Sequence, residues 1–222
     1  MLRQHAAYAD ALLVLGLEIE VLDPLPGFPD AYFVEDVAVV VPELAIVARP
    51  GAASRRGEAD FIGRVLARHR KVERLAAPAT LDGGDVLVAN RSVFIGLSAR
   101  TNEEGAAQLA RLLEAHGYRS QTIPVAAGLH LKSSVSWVGG ETLLISERFA
   151  ERPELRGFRR IVVDAAEEPA CNTLAANGTL LTPAGFPKAR RSLEETGLRI
   201  VELDVSEARK MDGGLTCMSL RL

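Results

Sequence analysis

The chain has 222 residues, 48% of them hydrophobic and 25% charged, with a net charge of −3. This is long and apolar enough for a full core in a single domain spanning residues 1–222. The charge is interspersed, so no run of like sign invites nucleic acid or an anionic membrane. No apolar stretch approaches the ~20 residues of a membrane span. The N-terminus, Met1-Leu2-Arg3-Gln4-His5, lacks the apolar centre of a signal peptide, so a cytoplasmic location is expected. Cys171 and Cys217, the two cysteines, read as thiols rather than as a disulfide in such a chain.

Along the chain, one pattern recurs. Three times an apolar helix ends at a glycine and passes into a short strand. These are Ala11–Gly16 into Leu17–Leu22, Leu112–Gly117 into Tyr118–Val125, and Leu193–Gly197 into Leu198–Leu203. Glycine just past a helix supplies the left-handed cap that turns the chain toward a sheet. Weaker copies of the strand lie at Lys71–Leu75 and Arg159–Asp164. Between them come apolar hairpins with polar turns: Val34–Ala48 around Pro42-Glu43, and Asp85–Leu97 around Ala89-Asn90-Arg91. Two more are Lys132–Ser146 around Gly139-Gly140-Glu141, and Asn172–Pro183 around Ala176-Asn177-Gly178. Asn-Gly between apolar runs is a strong hairpin signal. A fifth hairpin begins at Leu215 with a strand over Leu215–Leu220, and the sequence stops at Leu222.

Self-similarity at ~40–50 residues predicts a propeller-like or other repeat architecture, against an ordinary α/β sandwich whose elements happen to alternate. Polar residues that do not belong in buried strands gather at the hairpin starts. Asp30, Glu35 and Asp36 flank the first, Asp82 and Asp85 open the second, His130 the third, Asn172 the fourth and Cys217 the fifth. In a closed ring, equivalent positions converge on the axis. Those side chains would then meet as a Cys–His–carboxylate constellation scattered in sequence.

Each residue also has a bland reading. Asp30 and Asp36 could be solvated strand-end acids, Asp82 a turn residue before Gly83-Gly84, and His130 a satisfied core histidine between two leucines. Arg55 and Arg100 could be surface charges, and Cys217 a small buried hydrophobe. Their joint occurrence is what favours a site.

Five blocks resemble a known family. They are Phe28–Asp36 (FPDAYFVED), Leu81–Leu87 (LDGGDVL), Gly96–Asn102 (GLSARTN), Gly128–Ser133 (GLHLKS) and Leu215-Thr216-Cys217. In this order they are similar to the dimethylarginine dimethylaminohydrolases, within the guanidino-group-modifying enzymes. The resemblance implies a five-bladed, pseudo-symmetric α/β propeller, the pentein fold, with the last blade incomplete here. It implies that Cys217 attacks the guanidinium carbon of a methylated arginine and expels dimethylamine. His130 would protonate the leaving amine and then activate the water that releases citrulline, with Asp82 orienting the site beside it. Asp36, with Glu35 nearby, would hold the guanidinium nitrogens, and Arg55 and Arg100 would clamp the α-carboxylate. Asp30 and the backbone around Met211 and Asp212 would close over the amino-acid end. The partner is then a small-molecule substrate, and the oligomeric state stays open.

The chemistry is coherent in itself. A resonance-stabilised guanidinium is a poor electrophile, and a covalent step by a strong nucleophile divides the difficulty. Carboxylates pin the planar cation, and the bound cation favours a neighbouring thiolate. No metal or organic cofactor is expected; a captured Zn²⁺ would block the nucleophile.

The chain begins about a strand and a long loop later than members of that family. The expectation is a start assigned too far downstream, or else a truncated form whose Leu215–Leu220 strand lacks a partner and tends to associate. Two rivals stand: a sister guanidino hydrolase such as arginine deiminase, and a non-catalytic propeller that binds a macromolecule. The short loops leave no room for an inserted helical domain, and a binding module has no reason to keep Cys217, His130 and Asp82 together.

Overall fold

The computed structural model describes residues 1–125 and 129–222. The first helix, α1 (Leu2–Val14), buries Tyr8 and Leu12, and Gly16 follows it at φ +80°. The strand expected at Leu17–Leu22 does not form; its apolar alternation finds no neighbouring strand to bond among the described residues.

Strands then come in threes. Strand β1 (Ala38–Val41) pairs antiparallel with β2 (Leu44–Val47), helix α2 (Arg56–Leu66) crosses over, and β3 (Val72–Arg74) returns parallel to β2. The second set is β4 (Val86–Ala89), β5 (Ser92–Leu97), helix α3 (Glu103–Glu114) and β6 (Arg119–Pro124). The third is β7 (Val135–Trp137), β8 (Thr142–Ser146) and β9 (Arg159–Val163), with two 3₁₀ turns in place of a helix. The fourth is β10 (Leu174–Ala176), β11 (Thr179–Pro183), α4 (Pro187–Glu194) and β12 (Arg199–Leu203), followed by the short α5 (Ser206–Arg209).

In every set the hairpin strand is central, and the third strand needs a crossover because it runs parallel. The β5 residues Val93, Phe94 and Ile95 are buried on both faces, as a central strand requires. The two-residue turn between β10 and β11 is Asn177-Gly178, at φ +43° and +74°. Positive φ at both central positions matches the strand twist, and Asn-Gly accepts it at little cost.

Each hairpin is preceded by a 3₁₀ turn: Val34–Val37 before β1, Gly83–Asp85 before β4, Leu131–Ser133 before β7 and Ala165–Cys171 before β10. A fifth such turn, Thr216–Met218, carries Cys217, and residues 219–222 after it form no strand. The strand expected over Leu215–Leu220 is therefore corrected to a turn, since a strand exists only through a ladder partner.

The chain divides into two compact units. One comprises Pro24–Leu131 with Cys217–Leu222, the other Met1–Asp23 with Lys132–Thr216. In the first, Leu109 and Leu113 of α3 pack on Ile46, Val93 and Ile95 of the sheets. In the second, Leu193 of α4 packs with Leu144, Ile161 and Leu180.

Candidate active site

The first unit gathers its buried charge at the turns before β1 and β4. Each turn carries a carboxylate close to its end, Asp36 in Val34–Val37 and Asp85 in Gly83–Asp85, just before the chain extends. Glycines let the two turns meet. A Cβ on Gly83 would overlap the carbonyl oxygens of Glu35 and Ala38. One on Gly84 would lie 2.7 Å from Asp36 Oδ1 and 2.7 Å from His130 Cγ and Nδ1. The Asp82-Gly83-Gly84-Asp85 run is thus a floor without side chains, over which an acid and an imidazole approach one another.

His130, 6% exposed, stands between two carboxylates. Its Nε2 is 3.0 Å from Asp82 Oδ2, and its Nδ1 is 3.7 Å from Asp36 Oδ1. Burial lowers the ring's affinity for a proton. The hydrogen bond to Asp82 and the charges of Asp36, Asp85 and Asp82 outweigh it, so His130 titrates above its ordinary value. Asp82 is itself fixed: its Oδ1 accepts from the Gly51 amide at 2.9 Å, and its amide donates to Thr101 Oγ1 at 3.2 Å.

Asp36 uses one oxygen and leaves the other open. Oδ2 is ion-paired with Arg55, while Oδ1 is buried with no hydrogen-bond partner among the described residues. A desolvated carboxylate oxygen without a donor is costly, and a cation with N–H groups would relieve it.

Arg55 is brought to this place but is otherwise engaged. Its guanidinium donates to Glu58 (2.7 Å), to Asp36, and to the carbonyls of Phe33 (2.9 Å) and Asp30 (3.1 Å). It stands behind Asp36. The expected fork toward a substrate carboxylate is therefore not the arrangement this structure holds, because the guanidinium is already committed to two buried acids. Arg100 differs: among the described residues its guanidinium has no hydrogen-bond or ion-pair partner, and its backbone is held by Ser98 Oγ.

Cys217 is half-buried between buried Thr216 and Met218. Tyr32 lies within electrostatic reach: burial raises its hydroxyl first, then the charge of Asp30, with Arg55 opposing and Cys217 adding a smaller push upward. Cys171, by contrast, is buried among apolar side chains that push its thiol far up, which makes it inert. Asp30 is half-buried, and Glu35 is buried in the same turn as Asp36. Met211 and Asp212 belong to the other unit, where both are exposed and Asp212 sits at φ +57° after α5. Gly128, part of the block that carries His130, lies outside the described residues.

This disposition was compared with known proteins. A family model described as Arginine deiminase matches residues 4–154. The N(G),N(G)-dimethylarginine dimethylaminohydrolase of Pseudomonas aeruginosa is 40% identical over 222 residues, covering 99% of this chain and 87% of that protein. Its counterpart from Streptomyces coelicolor is 37% identical, covering 100% and 85%. The chain belongs to the dimethylarginine dimethylaminohydrolase family. A solved structure of the Pseudomonas aeruginosa enzyme, a cysteine-to-serine mutant complexed with citrulline, superposes with a TM-score of 0.97, covering 99% of this chain and 87% of that one. The fold is thereby the family's pseudo-symmetric α/β propeller, of which the four three-stranded sheets are the repeats.

Several residues that brace this cluster in this member of the dimethylarginine dimethylaminohydrolase family escaped the sequence. Glu58 could have been found, since it lies three residues from Arg55 at the spacing of a helical ion pair. Thr101 adjoins Arg100 in a quoted block. Gly51 acts through its amide and through its missing side chain, since a Cβ there would lie 2.5 Å from the Arg100 carbonyl oxygen. Asp36, Asp82 and His130 place one donor atom each within 4.8 Å of one another, the donor set a divalent cation would use. Among the described residues, no helix is long and apolar enough to cross a membrane.

Proposed function

We propose that this chain hydrolyses Nω-methylated arginine, with asymmetric dimethylarginine as the reference substrate, to citrulline and dimethylamine. The observation that carries the reading is the buried, unpartnered Oδ1 of Asp36 beside a histidine already paired to a second acid. A guanidinium fits there: it is planar, cationic and rich in N–H donors, and it relieves the open carboxylate.

Asp36 receives the guanidinium nitrogens, with Glu35 in the same turn, and Arg55 with Glu58 holds Asp36 in place from behind. Cys217, as thiolate, adds to the guanidinium carbon. His130 donates a proton to the dimethylated nitrogen as its bond to that carbon breaks, and dimethylamine leaves a covalent S-alkylthiouronium. His130, now neutral, takes a proton from water, which adds to the same carbon; the carbon–sulfur bond breaks and citrulline departs. Asp82 holds the imidazole in line and favours its protonated form. Arg100, whose guanidinium is uncommitted, grips the α-carboxylate, with Asp30 assigned to the amino-acid end. For Arg55 to join that grip, it would first have to leave two buried acids.

A citrulline-release assay with dimethyl-, monomethyl- and unmodified arginine tests the reading. Turnover of the methylated substrates, abolished in a folded Cys217→Ser variant and retained in Cys171→Ala, is the expected result. Preference for unmodified arginine would instead support an arginine deiminase, the rival that the family match keeps in view. Release that survives in Cys217→Ser would remove the covalent route.

A further inference from the structure

Asp85 is 0% exposed and makes no ion pair at contact distance among the described residues, yet nothing in the reaction above uses it. Its carboxylate accepts three hydrogen bonds. Oδ1 takes the Leu131 amide at 3.0 Å, and Oδ2 takes the Ser98 hydroxyl at 2.6 Å and the Thr101 hydroxyl at 2.7 Å. A buried carboxylate with no ion pair in contact depends on its hydrogen-bond donors, and each donor here leads to a residue of the site.

Leu131 follows His130 in the chain. Thr101 Oγ1, having given its proton to Asp85, accepts from the Asp82 amide at 3.2 Å. Ser98 Oγ, likewise spent as a donor, accepts from the amides of Arg100 at 3.0 Å and Thr101 at 3.2 Å.

We infer that Asp85 is a positioning residue whose carboxylate sets the direction of every hydrogen bond in this group, and so holds His130 and Asp82 on one side and the Arg100 loop on the other. An ionised carboxylate can only accept. It therefore forces both hydroxyls to donate inward and frees their lone pairs for the three amides. An amide in its place fails in either orientation. With its NH₂ toward Ser98 and Thr101, it meets a Ser98 oxygen that already accepts two amides and leaves both hydroxyl protons without their carboxylate acceptor; turned over, it points a donor at the Leu131 N–H. A longer acid has no room, since even a Cβ on Gly96 would lie 2.9 Å from Asp85 Oδ1. Burial raises the Asp85 carboxyl, with His130, Ser98, Thr101 and Leu131 all holding it down.

This inference rests on the proposed function for its kinetic arm, and a second arm is independent of catalysis. In the citrulline assay, Asp85→Asn lowers kcat about 100-fold and raises KM about tenfold, because both ends of the site loosen. The single hydroxyl variants split the effects. Thr101→Val lowers kcat with little change in KM, through Asp82 and His130; Ser98→Ala raises KM with little change in kcat, through Arg100. They also carry the test where Asp85→Asn does not fold. The second arm follows the His130 ring by NMR titration, its facing acids being Asp36, Asp82 and Asp85. The ring's pKa falls in Asp85→Asn and in Thr101→Val and stays in place in Ser98→Ala. Folded variants that lower thermal stability yet leave kcat, KM and the His130 titration as in the wild type would overturn the inference, as would hydroxyl variants that move kcat and KM together. A wild type that releases no citrulline from any arginine refutes the functional reading, and the NMR arm still decides the role of Asp85.

Discussion

At the scale of single residues, the site is a problem in proton affinity and charge pairing. His130 titrates above its ordinary value, so its protonated form, the acid that the leaving amine requires, persists toward neutral pH. Activity is then expected to fall as pH rises through that raised value. Asp82→Asn removes one charge and leaves at most a neutral hydrogen bond to the ring, so the descending limb of kcat/KM against pH moves to lower pH; an unmoved limb would detach Asp82 from the imidazole. The same shift bears on stability. Folding raises the ring's proton affinity, so its contribution is fully present below the ordinary histidine value and lost as pH rises through the folded one. Thermal melts from mildly acidic to mildly alkaline buffer should show this slope flattened in His130→Gln. The two arginines separate on the same scale. Arg55→Ala strands buried Asp36 and Glu58 and costs about 3–5 kcal/mol of stability, whereas Arg100→Ala leaves the melting temperature in place and raises KM. Equal melting temperatures for both variants would contradict the pairing described here.

Among the elements, the 3₁₀ turn, four times ahead of a hairpin and once at Thr216–Met218, is the unit that places chemistry. It delivers Asp36, Asp85 and Cys217 one per turn, and its glycines allow neighbouring turns to touch. Gly84→Ala tests this: the added methyl meets Asp36 Oδ1 and His130, and kcat/KM is expected to fall about 100-fold as the pair is pushed apart. Gly157→Ala, where a Cβ meets nothing within 4 Å, serves as the neutral control. The fifth turn has a further brace. Asn172 Oδ1 accepts from the Thr216 amide at 3.0 Å, and its Nδ2 donates to Thr216 Oγ1 at 3.1 Å and to the Lys132 carbonyl at 3.1 Å. Thr216 immediately precedes Cys217, and Asn172→Ala should slow alkylation of that thiol by a small reagent. These braces were not legible in the sequence. Asn172 was marked only by its place at a hairpin start, Thr101 acts through a group that any hydroxyl supplies, and the need for glycine at Gly51 shows only once the Arg100 backbone lies against it.

On the scale of the molecule, each compact unit carries its own apolar cluster, and truncation in either should be felt. Leu109→Ala in one and Leu180→Ala in the other, both at 0% exposure, should each cost about 2–5 kcal/mol in chemical denaturation. A near-zero cost for either would mean that its cluster adds little to stability.

What the sequence determined by itself is what neighbours in the chain decide. The polar turns of the hairpins, the glycines after helices, and the strand–strand–helix–strand order all follow from local periodicity and backbone preference. Asn177-Gly178 is a turn wherever it falls between two apolar runs. The clustering of acids, a histidine and a cysteine at hairpin starts was legible for the same reason, since a polar residue stands out against a buried strand. Tertiary structure alone decided matters that need a second segment. Residues 17–22 and 215–220 both read as strands, yet a strand exists only through its ladder partner, and neither has one among the described residues. Arg55 read as a free fork, yet a guanidinium goes to the nearest carboxylates that burial leaves unscreened, and folding puts Asp36 and Glu58 there. Asp85 read as an acid opening the second hairpin, and only the fold gave its carboxylate three donors and, through them, a hold on both ends of the site.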